Sequence, residues 1–460
     1  MARPPMRTPA SGDALDGLLF RLLRTIVDIR PPEARALTWS WLYFFSILSA
    51  YYVIRPIRDE IGAAEGIEKL PWLFTGTLLT MLLANPPFSA LVTRLAPIRF
   101  ISWTYRFFAA NLLVFLILLE STVGAAGLWT GRVFYIWAAV FNLFIVSVFW
   151  GFLADVFSSE QSRRLFGFIA AGGTLGGILG SALTSALVQP LGRSRLLLVS
   201  AVLLEVAVLS VRRLSRISRG LRDRPGPRDA DRAIGGTILA GFAHAVKSLY
   251  LLNLSAYMLL FTILSTFLYF QQADLAKQSF TDRAARTAFF ANVDLAVNAL
   301  TLLIQLLLTG RIIKTLGVAV TLALLPALSV AGFALLGLTP LLWAVVIFQV
   351  LRRAGNFAVA RPTRETCFTV VPREDKYKAK SFIDTFVYRA GDQVGAWSYA
   401  GLGLLGLGVG GISLAAVPIA LLWVVNALWL GRRNETMARR NAVATSDSVP
   451  PVSVVAREVE

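Results

Sequence analysis

The sequence has little of what metal centres and disulfide-stabilised folds require. It contains one cysteine, Cys367, and one histidine, His244. A single cysteine excludes a disulfide framework, and a single histidine excludes a metal site built from several histidines. The sequence also lacks a nucleotide-hydrolysis loop and a histidine placed by a nucleophile motif. It therefore predicts neither an enzyme nor a protein that holds a metal or a cofactor.

Acidic residues are scarce as well: 27 stand against 45 lysines and arginines, a net charge of +18. In a soluble protein this excess would suggest nucleic-acid binding. Here, however, 56% of the residues are hydrophobic and the mean hydropathy is +0.64. In membrane proteins basic residues gather in the cytoplasmic loops. We therefore predict a lipid-embedded protein without a nucleic-acid partner.

Apolar segments predict twelve transmembrane helices, since 460 residues accommodate about a dozen spans of ~20 residues. The segments lie near 38–61, 71–93, 98–119, 132–156, 164–189, 195–211, 248–272, 286–309, 317–338, 340–360, 380–406 and 411–431. A polar, Arg-rich stretch separates six of them from the other six. The predicted fold is an all-α integral membrane protein with two six-helix halves, as in the major facilitator architecture.

The predicted organisation has five parts. They are a cytoplasmic segment with an interfacial helix (1–37), an N-terminal half (38–211), a cytoplasmic linker (212–247), a C-terminal half (248–431) and a disordered cytoplasmic tail (432–460).

The distribution of basic residues predicts the orientation. Alternate connections hold Arg94, Arg99, Arg163, Arg164, Arg311 and Lys314. The charged residues of the stretch 60–70, on the opposite side, are mostly acidic and include Glu60. By the positive-inside rule, we predict an inner-membrane protein with both termini in the cytoplasm.

Two of the predicted spans carry charges. Each charge at the bilayer centre costs roughly 2.5–3.5 kcal/mol on an insertion scale, so such residues normally face a bundle interior or a cavity. The polar candidates of spans ten and eleven are Arg352, Arg353, Asn356, Lys380, Asp384, Arg389, Asp392 and Gln393. Arg389 and Asp392 are spaced to pair on one helix face. We predict that these residues form one wall of a cavity that binds an anion. The alternative is a structural ion-pair lattice between the two spans.

Arg55, Arg58 and Asp59 form another candidate at the end of the first span. Arginine is favoured where phosphate or carboxylate is held by a planar fork of donors. Pro56 is expected to break the helix there and expose backbone groups. The alternative is a span end whose arginine side chains extend to the interface.

Three further candidates have competing interpretations. Trp150 could stack an aromatic base or anchor span four at the interface. Asp294, in span eight, is the candidate carboxylate for coupling to a proton or cation. The glycine-rich run 167–181 lacks the Lys-Ser/Thr of a phosphate loop. Its four-residue glycine spacing favours close helix packing.

Three stretches resemble the ATP/ADP translocase (nucleotide transporter) family, a divergent branch of the major facilitator superfamily. They are YYVIRPIRDEIG (51–62), VSVFWGFLADVFSSEQSRRLFG (146–167) and YKAKSFIDTFVYRAGD (377–392). The resemblance implies nucleotide exchange and assigns Arg55, Arg58 and Asp59 to the first-span pattern. Asn142 stands where an acidic residue is expected in span four, and Asp392 stands near an expected lysine, so another anion remains open as the substrate.

The predicted function is a secondary transporter that works by alternating access. Its partner would be a small anionic substrate, with ATP and ADP as the leading case implied by the resemblance. One alternative is a transporter of a different solute, coupled to protons through Asp294. Another is a membrane scaffold or sensor that does not transport. The oligomeric state stays open, and a monomer is compatible with the sequence.

Overall fold

The computed structural model describes residues 21, 24, 27–94, 97–221, 248–371, 379–380 and 382–447, and every regular element in them is helical. The helices are α1 (Ala34–Glu65), α2 (Leu70–Arg94), α3 (Pro97–Ser121), α4 (Gly124–Val156), α5 (Ser159–Leu191), α6 (Leu196–Leu221), α7 (Leu249–Ser279), α8 (Arg283–Leu307), α9 (Thr309–Leu338), α10 (Leu342–Cys367), α11 (Tyr388–Leu404) and α12 (Val409–Asp447). Each predicted apolar segment falls on one of them.

Within the described residues, nine helices are long and apolar enough to cross a membrane. The other three are α2, α6 and α11. The prediction of an all-α membrane protein is confirmed, whereas the count of twelve spans stays a prediction. The described residues include two π-helical turns. Asn356–Ala360 lies inside α10, and Ile383–Val387 comes directly before α11.

The described residues form two compact units. The first is drawn from Met1–Arg232, Leu268–Leu302 and Leu341–Leu351, and the second from Ala233–Phe267, Leu303–Pro340 and Arg352–Glu460. In the first unit α1 packs against α4, α5 and α6, and α6 also packs against α3. In the second unit α9 packs along α12. The predicted division into halves at 38–211 and 248–431 stays a prediction.

Glycines allow α1 and α5 to approach closely. A Cβ atom on Gly176 would collide with the carbonyl oxygen of Phe45, and one on Gly180 would collide with that of Ser49. Gly172 faces α1 in the same way. Small residues at four-residue spacing let backbones meet. The predicted packing role of the glycine-rich run is therefore confirmed.

The C-terminal tail differs from the prediction. We expected 432–460 to be disordered, but α12 continues to Asp447. This segment is rich in alanine and arginine, which favour helices, and its side chains make tertiary contacts. The Glu435 carboxylate accepts a hydrogen bond from the Ala319 N–H at 3.1 Å, and the Asn434 side chain donates to the Tyr250 hydroxyl at 3.0 Å. Residues 448–460 lie outside the described ones.

Two other expectations were wrong. Pro56 does not break α1, which runs through it, because proline is tolerated in membrane helices where neighbouring groups and local adjustments satisfy the freed backbone groups. The linker predicted from 212 starts later, since α6 is helical to Leu221. The rest of the linker, 222–247, and most of the predicted interfacial helix in 1–37 lie outside the described residues.

Candidate functional site

The first unit brings four of the predicted site residues together. The Arg55 Nη1 atom lies 3.3 Å from the Asp294 Oδ1 atom, and the Arg55 Nε atom lies 3.6 Å from Asp59 Oδ2. The Arg58 Nε atom lies 3.2 Å from Asp59 Oδ1. The Tyr269 hydroxyl donates to the same Asp59 oxygen at 3.1 Å. We call Arg55, Arg58, Asp59, Asp294 and Tyr269 the arginine cluster.

The arginine cluster is electrically balanced and unevenly exposed. Two arginines and two aspartates sum to a charge of zero. Asp59 and Asp294 are buried, at 4% and 1% exposure, whereas the Arg55 and Arg58 side chains retain 18% and 17%. Each guanidinium has five N–H donors, and the ion pairs occupy one or two nitrogen atoms of each. The arginines can therefore donate to a further anion.

Aromatic rings orient both guanidinium groups. The Arg58 guanidinium lies 4.8 Å from the centre of the Tyr135 ring, and that of Arg55 lies 5.7 Å from the Tyr52 ring. The Tyr135 and Tyr269 hydroxyls are 3.2 Å apart. Cation–π contacts attract a guanidinium to a ring face without using its N–H donors. The rings thus hold the arginines while leaving donors for a ligand.

A second ionic group lies next to the arginine cluster in sequence. Glu60 is fully buried and accepts from Arg193 Nη1 at 2.7 Å and from Arg286 Nη2 at 3.0 Å. Arg286 also donates to the Phe280 carbonyl oxygen at 2.8 Å. We call Glu60, Arg193 and Arg286 the Glu60 cluster. Glu60 was expected in an external connection; it lies inside α1, where only charged partners make its burial tolerable.

Arg352 lies in the interior of the second unit. Its Nη1 atom donates to the Ser265 hydroxyl at 2.8 Å, its Nη2 atom to the Phe261 carbonyl oxygen at 3.0 Å, and its Nε atom to the Ser329 hydroxyl at 3.2 Å. It is 2% exposed. Neutral oxygen atoms therefore satisfy a nearly inaccessible guanidinium, an arrangement that favours a role in stability.

The other charged candidates of the second unit form ion pairs with residues of the same unit. Arg389 Nη1 lies 3.3 Å from Asp392 Oδ2, so the pairing expected from their spacing is present. Asp384 lies 3.8 Å from Arg364 Nη2, and Lys380 pairs with Glu365. Arg353, Asn356 and Gln393 are half-buried, Asn356 within the π-helical turn of α10. Their predicted role in binding an anion is a proposal.

Asn142 and Trp150 both lie on α4. Asn142 is half-buried. Trp150 packs edge-on against Phe149, with ring centres 5.0 Å apart, and against Phe44, at 5.4 Å. These aromatic contacts hold the indole ring, and base stacking by Trp150 stays a prediction.

Sequence reasoning missed the basic partners of the Glu60 cluster. Arg193, Arg286 and Tyr269 were not selected as candidates. One signal was available: an acidic residue inside an apolar helix requires a basic partner when it is buried. Which arginine supplies that partner depends on tertiary structure, because Glu60 and Arg286 are 226 positions apart.

Sequence comparisons link the chain to carrier proteins. It is 22% identical to the ADP,ATP carrier protein 1 of Chlamydia pneumoniae, over 94% of this chain and 98% of the relative. It is also 22% identical to the ADP,ATP carrier protein 1 of Chlamydia trachomatis, over 90% and 91% of the two chains. No protein-family model matches the chain.

The fold is similar to that of solved transporters. A POT family transporter in complex with 5-aminolevulinic acid superimposes with a TM-score of 0.60, at 11% identity, over 88% of this chain and 96% of that one. An auto-inhibited POT family peptide transporter gives 0.59 at 16% identity, over 88% and 97% of the two chains. The predicted resemblance to the ATP/ADP translocase family is confirmed, and the chain is a multi-pass membrane protein with the fold of these solved transporters.

Proposed function

We propose that this transporter exchanges anionic organic substrates by alternating access, with ATP and ADP as the leading pair. The relatives in the sequence comparison are named ADP,ATP carrier proteins, and the similarity extends over nearly their whole length. The arginine cluster supports the proposal of an anionic substrate, because Arg55 and Arg58 are held in place while their side chains stay partly exposed. That combination of fixed, reachable guanidinium groups is the observation that carries the proposal.

The cluster suggests how binding and release are balanced. With no substrate, Asp59 and Asp294 neutralise both arginines. A phosphate group offers bidentate oxygen atoms and replaces part of these carboxylate contacts, since charge-assisted forks between arginine and phosphate are strong. When the phosphate leaves, the carboxylates re-form the ion pairs, so the empty site holds no unpaired charge.

Proton coupling is the second candidate function. Asp294 is 1% exposed and pairs with Arg55 at 3.3 Å. Protonation of this carboxylate would release Arg55 for an anion, which would link proton uptake to substrate binding. Transport driven by an imposed pH gradient, and lost in Asp294→Asn, would favour this function over exchange. We further propose an inner-membrane location with both termini in the cytoplasm, as the charge distribution predicts.

Uptake of labelled ATP into liposomes that contain the purified protein tests the exchange function. The liposomes are preloaded with ADP, with phosphate, or with neither. We expect uptake only against internal ADP, loss of uptake in Arg58→Gln, and normal uptake in Arg195→Gln. Arg195 is a suitable control because its side chain is 65% exposed and its contact with Glu120, at 3.7 Å, lies at the surface. Folded, inserted protein that takes up no ATP under any loading would contradict the proposal.

A further inference from the structure

A groove on the surface of α3 and α6 is lined by none of the residues of the arginine cluster or the Glu60 cluster. Its volume is about 540 Å³, and its lining includes Arg99, Arg106 and Arg212 together with Trp103 and Phe107. Among the described residues, the lining has three arginines and no carboxylate. The groove therefore combines an apolar floor with a concentration of positive charge.

The aromatic part of the groove is unusually open for its size. Trp103 is 75% exposed and Phe107 is 62% exposed. Both belong to α3, one of the helices apolar enough to cross a membrane. On such a helix, outward aromatic side chains contact lipid, and tryptophan prefers the boundary between acyl chains and headgroups.

The arginines lie at two depths. Arg99 and Arg212 are exposed and stand at the ends of the apolar segments of α3 and α6. Arg106 follows Arg99 by seven residues, which places it about 10 Å farther along the helix axis. Arg106 Nε and Nη2 donate to the two carboxylate oxygens of Glu205, at 3.2 and 3.3 Å. The pair neutralises the deeper charge, so the two outer arginines carry a net charge of +2.

The geometry points to an anionic phospholipid as the occupant of this groove. Its phosphate would accept hydrogen bonds from Arg99 and Arg212 at the headgroup level, and one acyl chain would lie over Trp103 and Phe107. The charge pattern of the sequence predicts that this level belongs to the cytoplasmic leaflet, where anionic lipids attract arginine. Complementary charge at one end and apolar surface at the other select a lipid over a soluble phosphate compound, which would leave the aromatic floor uncovered.

Quenching of tryptophan fluorescence by brominated lipids tests this assignment. The full-length protein is reconstituted with brominated phosphatidylglycerol or brominated phosphatidylcholine of the same acyl chains, in otherwise identical membranes. Subtracting the quenching measured for the corresponding Trp103→Phe variant from that of each protein isolates the quenching of Trp103 in the groove. Since each arginine near the surface strengthens anionic lipid binding about five-fold, we expect the groove to prefer phosphatidylglycerol roughly 25-fold.

The control variant removes the same number of positive charges as the test variant, and it removes both from the end of α6. The double variant Arg99→Gln/Arg212→Gln should lose the preference, whereas Arg213→Gln/Arg216→Gln should keep it, because those two arginines are exposed on α6 but do not line the groove. Equal loss in both double variants would overturn the assignment. Equal quenching of Trp103 by both lipids would also overturn it, and quenching by neither would place a protein surface on the groove instead of a lipid.

Discussion

The Glu60 cluster gives a quantitative prediction about stability. The substitution Glu60→Gln retains the size of the side chain and one acceptor oxygen while removing the negative charge. Arg193 and Arg286 would then lack their counter-ion in a mostly buried site. Glu60 is fully buried and Arg286 is 7% exposed, whereas the Arg193 side chain is 17% exposed.

The expected loss follows from the burial of the cluster. Removing one partner of a buried ion pair costs about 3–5 kcal/mol, because the remaining charge is left without compensation. Here the two nitrogen–oxygen distances are 2.7 and 3.0 Å. We therefore expect the free energy of unfolding of Glu60→Gln to fall by about 3–5 kcal/mol. Exposed ion pairs are worth about 0–1 kcal/mol.

Unfolding of the purified protein in mixed micelles, followed by tryptophan fluorescence, measures this loss. Glu120→Gln is the matched control: Glu120 pairs with Arg195 at 3.7 Å, with side chains 49% and 65% exposed. Its effect should stay below about 1 kcal/mol. If Glu60→Gln were no more destabilised than Glu120→Gln, the Glu60 cluster would not contribute to stability as its burial implies.

Three other substitutions test the packing of the two units, each by the thermal unfolding midpoint. Gly176→Ala should lower the midpoint by the equivalent of about 1–3 kcal/mol, because its Cβ would collide with the Phe45 carbonyl, whereas Gly167→Ala, in open space, should not. Arg352→Met should destabilise by about 1.5–3 kcal/mol, as loss of a hydrogen bond to a charged group does, without abolishing transport in the folded fraction; selective loss of transport would contradict its structural role. Gly317 interrupts α9 with a positive φ of 71°, so the Glu435 carboxylate caps the helix that begins again after it. Glu435→Ala should cost about 1 kcal/mol, as loss of a helix cap does, and an unchanged midpoint would show that its contact with α9 is dispensable.

Hydropathy predicted the helices well, because a membrane span needs a long apolar segment and that information is local. The charged positions were also informative: a charge in an apolar segment requires a partner, and Arg55, Asp59 and Asp294 do converge. The Arg389–Asp392 pair follows from helix spacing alone.

Partners distant in sequence could not be predicted. Nothing near Glu60 indicates Arg286, 226 residues away. Arg352 was expected to bind an anion together with the charges of span eleven, but its neutral partners Ser265 and Ser329 carry no distinctive signal in an apolar sequence. The helical tail was missed because its tertiary contacts, such as that of Glu435 with the Ala319 N–H, cannot be read from the sequence.

Calorimetric titration with ADP, AMP and adenosine would test most directly whether the arginine cluster holds phosphate. Affinity should fall as phosphate groups are removed. Arg58→Gln should weaken ADP binding about 10- to 150-fold, the equivalent of a hydrogen bond to a charged group, and leave adenosine binding and the Arg195→Gln control unchanged. Equal affinities for ADP and adenosine, or ADP binding unaffected by Arg58→Gln, would contradict a phosphate site at Arg55 and Arg58.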